Sequence, residues 1–111
     1  MAVSFRDEAP QVIKEYLFYL ETIKIKSKKT VDEYYIDLRT FFRYLKKSRK
    51  LVSDDTEFEN IKIDDVDIDL IKSVTLNDSY EYMDYLYRER NNQSAARARK
   101  CSSLKGYFKF L

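Results

Sequence analysis

The chain has 111 residues, 44% apolar and 36% charged, which is one small domain with enough apolar material for a single core. Its 21 Lys/Arg and 19 Asp/Glu leave a net charge of +2, and it holds one glycine, one proline, one cysteine and no histidine. Such a composition excludes an all-β fold, which needs turn residues every ~8–12 positions, and leaves zinc sites, histidine acid–base chemistry and an internal disulfide without raw material.

Pro10 suits the first turn of a helix, and Ile13, Tyr16, Leu17, Leu20 and Ile23 recur after it at helical spacing. They predict a first helix over roughly residues 8–24 with an aromatic-rich inner face. After a break at residues 25–29, Thr30-Val-Asp-Glu33 matches a capping box. Val31, Tyr34, Leu38, Phe41, Phe42 and Leu45 then mark the strongest amphipathic segment, a helix of about 18 residues with Asp32, Arg39 and Arg43 opposite. Residues 48–64 are polar and acidic without a period and read as a long loop. Val66, Ile68, Leu70 and Ile71 predict a short helical turn. A third main helix starts at Thr75 or Asn77 as its cap, carries Tyr82, Met83, Tyr85 and Leu86, and runs to about Arg90. Ser94 is the expected cap of the fourth. There Ala98, Cys101, Leu104, Phe108 and Leu111 form the apolar face, and Arg99, Ser102, Ser103 and Gly106 lie opposite. A face bare of large side chains except for one long cation suits close approach to another body. The fold predicted is an all-α bundle of four main helices, residues 1–111 forming a single domain.

Charge is segregated along the chain. Residues 24–50 hold ten Lys/Arg against three Asp/Glu, residues 54–69 eight acids and one lysine, and residues 88–109 seven Lys/Arg and one acid. Solvated helix faces flanking an acidic loop explain each stretch taken singly. Two basic stretches interleaved with aromatics together point to a polyanion, because phosphate contact dominates nucleic-acid affinity.

Little else carries chemistry. Asp64, Asp65, Asp67 and Asp69 lack the glycine and the closing glutamate of a calcium loop, Cys101 reads as a small core residue, and the ten tyrosines mostly fall on apolar faces. No catalytic residue, metal ligand or cofactor is expected. No stretch reaches the ~20 apolar residues that span a bilayer, and the first residues carry no apolar run, so we expect no membrane partner and a cytoplasmic setting. The last residues, Gly106-Tyr-Phe-Lys-Phe-Leu111, stop in the middle of an apolar helix, and we expect a longer parent protein.

Three segments in series resemble one family. Thr30-Val-Asp-Glu-Tyr-Tyr-Ile-Asp-Leu-Arg-Thr-Phe-Phe-Arg-Tyr-Leu45 resembles the helix "T-x-x-x-Y-x-x-D-L-x-x-F-x-x-Y-L" of tyrosine recombinases. Residues 94–111 resemble their helix "A-R-K-L-S-S-L-R-x-F-F-x-Y-L", and residues 67–86 the "I-x-x-I-T-x-x-D-x-x-x-Y-L" segment between them. The family comprises phage and transposon integrases and Xer-type chromosome-resolving recombinases. The resemblance implies an N-terminal core-binding domain, a SAM-like bundle that clamps duplex DNA together with a catalytic domain absent from these residues. Other recombinase subunits are then partners through that absent domain, and this chain alone is expected to be monomeric. The resemblance also sets Lys28, Lys29 and Thr30 against phosphate at the start of the second helix, with Arg39 and Arg43 on its outward face. On the fourth helix it points Arg99 at the bases, with Ser94, Lys100, Ser103 and Lys105 beside it. Arg97 is left without a direction.

The leading expectation is therefore a duplex-DNA-binding module of a site-specific recombinase or integrase. A SAM-like or death-like protein-interaction domain is the alternative, with charge segregation driving head-to-tail association. A single-strand RNA binder would need exposed aromatics for stacking.

Overall fold

Phe41, Phe42, Leu38 and Leu45 are fully buried on one long helix, and the other elements are laid around that stripe. The computed structural model describes residues 8–90 and 93–111. In chain order it holds α1 (Gln11–Thr22), α2 (Lys28–Ser48), a 3-10 turn at Phe58–Asn60, α3 (Ile68–Lys72), α4 (Leu76–Arg88) and α5 (Ser94–Phe110). The four main helices expected from the sequence are α1, α2, α4 and α5, and the short turn before Thr75 is α3. Among the described residues there is no strand.

Helix α2 is central and packs against α1, α4, α5 and the 3-10 turn. Its ring-rich stripe is filled from α4 and α5: Tyr82 of α4 meets Phe41 edge-on at 5.1 Å, Phe108 of α5 meets Phe41 at 6.4 Å, and Tyr107 of α5 meets Phe42 at 6.4 Å. Helix α1 joins through Ile13, Tyr16, Leu17 and Leu20, and the Tyr107 hydroxyl donates to the Val12 carbonyl at 2.9 Å, fastening α5 to α1. Edge-to-face ring pairs add specificity to area burial.

The caps correct three helix starts. Ser27, not Thr30, caps α2: its hydroxyl accepts from the Thr30 N–H at 3.2 Å and donates to the Thr30 hydroxyl at 3.0 Å, so the helix opens three residues earlier than expected, at Lys28. Pro10 is the N-cap of α1 rather than part of its first turn. Gln93 precedes α5, and Ser94 is its first helical residue. Thr75 does cap α4, in a reciprocal box with Asp78 that Arg49 closes with a 2.9 Å ion pair. Left-handed residues that are not glycine follow α1 and α2 within a few positions, Ile25 (φ 51°) and Lys50 (φ 56°).

The chain's one glycine, Gly106, lies inside α5, where space rather than backbone conformation demands it. A Cβ there would stand 2.8 Å from the Tyr16 hydroxyl. Helix α5 is accordingly turned about its axis relative to the sequence expectation. Ser103, Leu104 and Tyr107 are buried, while Ala98 and Leu111, expected inside, are exposed. Small residues let α5 approach α1 and α2 closely.

Residues 49–67 form no α-helix, yet they are fastened to the bundle. Ile61, Ile63 and Val66 are buried. Arg43 donates from Nε to the Ile61 carbonyl at 2.9 Å, and Lys46 donates to the Lys62 carbonyl at 2.7 Å while pairing with Asp65. Phe58 stacks on Tyr85 at 6.1 Å.

Candidate nucleic-acid interface

Side chains on α2 and α5 meet at one buried carboxylate. Asp37 has no exposed side-chain surface; its Oδ1 accepts from Arg99 Nη2 and its Oδ2 from the Ser103 hydroxyl, both at 2.8 Å. Arg99 is the half-solvated member, with 49% of its side chain exposed. A carboxylate can stay ionised in such a place only when paired and hydrogen-bonded, and here both oxygens are engaged. Lys100 lies in the same field: burial lowers its ammonium below the ordinary value, Asp37 opposes this, and Arg99 and Arg90 reinforce it. The head of α5 thus concentrates cations around one buried anion.

Arg97, left without a direction by the sequence, turns back onto α4 and lies over the Tyr87 ring at 4.9 Å. Arg90 lies over Phe58 at 4.8 Å. The sequence assigned neither of them a role, although both stand in the basic stretch that begins at Arg88.

The remaining expected residues divide into two groups. Lys28, Lys29, Ser94 and Lys105 are exposed, Lys28 forming a 3.2 Å pair with Asp32 that lies largely in solvent. Arg39, Arg43 and Ser103 are engaged inside the fold, whereas Thr30 is half-buried and bonded only to its own helix cap. The Thr30 N–H is taken by Ser27. Arg39 donates to Glu8 at 2.7 Å, and the Tyr35 hydroxyl donates to the same carboxylate oxygen at 2.5 Å. Burial alone would raise Glu8; these two hydrogen bonds overcome it and hold the carboxyl below its usual range. Arg43 ties down the segment at Ile61, and Ser103 is 1% exposed. The outward placement expected for Ser103 is therefore corrected: its hydroxyl is short enough to serve Asp37 from inside. The outward face of α5 instead carries Ala95, Ala98, Ser102, Lys105 and Lys109, all exposed. A face of small residues flanked by cations is present, with Ser102 on it as the sequence suggested and Ala95 and Ala98 in place of Ser103 and Gly106.

On α2 the charges are spaced lengthwise. Lys28 and Arg43 are fifteen residues apart, about 22 Å at 1.5 Å per residue, so the acidic segment held by Arg43 and Lys46 sits at the far end from the exposed lysines. Among the described residues no group of three or more His, Cys, Asp or Glu is placed to hold a metal ion, and no helix is long and apolar enough to cross a membrane.

Helices packed around α2 in this way form an all-α, SAM-like bundle. The chain belongs to the phage integrase N-terminal SAM-like domain family, which it matches over residues 13–111. It is similar to tyrosine recombinase XerC of Caldanaerobacter subterraneus subsp. tengcongensis, with 49% identity over 102 residues. That alignment covers 92% of this chain and 29% of the relative, so the chain spans less than a third of the relative's length. No solved structure matches.

Proposed function

We propose that this chain is the duplex-DNA-gripping domain of a cytoplasmic tyrosine recombinase, a single domain holding one half-site. The catalytic groups and the contacts to other recombinase subunits then belong to a domain outside these residues, and this domain alone is a monomer. One observation carries the reading: the exposed face of α5 joins small residues, Ala98 and Ser102, to the cations Arg99, Lys105 and Lys109. Small side chains let a helix backbone approach the floor of a major groove, and the cations displace counterions from the phosphates on either side. Lys28 and Lys29 at the head of α2 add a second phosphate contact. Arg39 and Arg43 support this interface from within, by fixing α2 to Glu8 and to Ile61.

Fluorescence anisotropy with a labelled random 20-base-pair duplex, and with a half-site selected from a randomised pool, tests the reading over a salt series. Lys28→Ala and Lys29→Ala are expected to weaken both duplexes alike and to reduce the salt slope by about one for each phosphate no longer neutralised. Arg99→Ala reduces discrimination between the two duplexes. Equal losses on both from Arg99→Ala would defeat its base-reading role. Absence of binding at low salt, together with salt-weakened self-association, would favour the protein-interaction alternative. An apolar recess of about 550 Å³ between α4 and α5, lined by Leu76, Tyr80, Met83, Leu104 and Phe108, is the feature that would serve it.

A further inference from the structure

A cation that reads bases must arrive at the groove already aimed, and Arg99 has an anchor that does this. Building on the DNA-binding reading above, we propose that Asp37 is a positioning residue for base selection: it holds one edge of the Arg99 guanidinium so that the other edge is presented outward from the head of α5.

The geometry supplies each part. Asp37 is rigid, because it lies in the middle of α2 with its side chain fully buried and both oxygens engaged. It is tied to α5 twice, through Arg99 and, one turn on, through Ser103, so the carboxylate is fixed relative to the helix that carries the arginine. Only Nη2 of Arg99 is taken. Its other donors have no hydrogen bond to the described residues, and half of the side chain is in solvent. A guanidinium carries five N–H donors in a rigid plane. Fixing one nitrogen therefore limits where the remaining donors can point, and a pair of parallel donors is what the O6/N7 edge of guanine accepts. A free surface arginine would lose its rotamer freedom only on binding; removing that cost ahead of time is worth roughly two- to tenfold in affinity for one side chain.

The arrangement also has an electrostatic side that separates it from a simple structural brace. Asp37 offsets the charge of Arg99, so the pair adds little to non-specific attraction for phosphate. Releasing Arg99 from the carboxylate should strengthen binding to random DNA while weakening selection. A brace that merely held α2 to α5 would lower both.

The test compares wild type, Asp37→Asn, Arg99→Ala and the double variant, by anisotropy on the random duplex and on the pool-selected half-site. Nitrogen-15 NMR of the Arg99 Nε–H in the free protein accompanies it. For Asp37→Asn the expected result has three parts: up to severalfold tighter random-duplex binding at low salt, a steeper salt slope, and a cognate-to-random ratio lowered roughly three- to tenfold. The double variant should select no worse than Arg99→Ala alone. The Arg99 Nε–H signal, sharp and resolved in wild type, should collapse into the free-arginine envelope. If Asp37→Asn fails to fold, Arg99→Lys replaces it; random-duplex affinity is kept and selection falls away. An unchanged ratio in a wild type that binds DNA, or additive losses in the double variant, would overturn the positioning role and leave the DNA-binding reading standing. A wild type that binds neither duplex would overturn both.

Discussion

Replacing Gly106 by alanine sets two measurable effects against each other. Inside a helix, alanine is favoured over glycine by about 1 kcal/mol. At position 106 the new methyl would lie 2.8 Å from the Tyr16 hydroxyl, whereas ordinary contact begins at 3.4 Å. Tyr16 is 4% exposed and cannot swing away. Its ring is packed against Tyr107 at 5.3 Å, Phe110 at 5.1 Å and Tyr19 at 6.5 Å, so the shift must propagate through the α1–α5 contact. Overpacking of this kind costs about 1–3 kcal/mol, which exceeds the propensity gain and leaves a net destabilisation on the order of 1 kcal/mol. In a Tyr16→Phe background the clashing oxygen is gone, and the same substitution should stabilise by roughly 0.5–1 kcal/mol. Urea unfolding of the four proteins, with the slope of the transition unchanged, reads both signs. A Gly106→Ala effect equal in the two backgrounds, or a gain in the presence of Tyr16, would refute the claim that closeness to α1 is why glycine stands there.

Three further outcomes follow from the fold. Ile25 holds φ at 51° with 75% of its surface exposed, so Ile25→Gly relieves backbone strain and forfeits little burial; thermal unfolding should show a gain of roughly 0.5–1 kcal/mol, and a loss would contradict the strain. Lys46→Ala frees the Lys62 carbonyl and Asp65, and hydrogen exchange should accelerate at residues 61–66 while α1 is unaffected; uniform acceleration would mean that the segment does not open by itself. Burial raises the phenols of Tyr35, Tyr82 and Tyr107 well above their ordinary value of 10, and that of Tyr16 to about 12. The unfolded chain therefore releases these protons first: the stability they contribute is whole below pH 10 and is lost as the pH climbs through the folded values. Ultraviolet titration should show these tyrosines ionising together with unfolding, and independent ionisation of all of them near pH 10 in a folded chain would contradict their burial.

The amphipathic helices were legible because their apolar residues recur every three or four positions, and α2 shows this most plainly through Leu38, Phe41, Phe42 and Leu45. The segment after α2 was not, because Ile61, Ile63 and Val66 are isolated aliphatics among acids, and their burial depends on Arg43 and Lys46 reaching across from a helix already formed. Helix α5 misled for a related reason. Ala98, Ser102, Ser103 and Gly106 are too small to declare a side, and it is Tyr16 and Asp37, distant in sequence, that draw Gly106 and Ser103 inward. The resemblance placed Arg99 at the site, but its carboxylate partner lies 62 residues away on another helix, and no local pattern announces such a tie. Asp37 and Arg99 stand in two of the three segments that carry the resemblance, so part of what those segments encode is the joint between α2 and α5.

The most direct measurement is an NMR titration of the labelled domain with a short random duplex at low and moderate salt. A DNA-gripping domain predicts shifts concentrated at residues 28–29 and along 94–109, shrinking as salt rises, with residues 61–66 silent. Shifts centred on the acidic segment, or none at low salt, would contradict it.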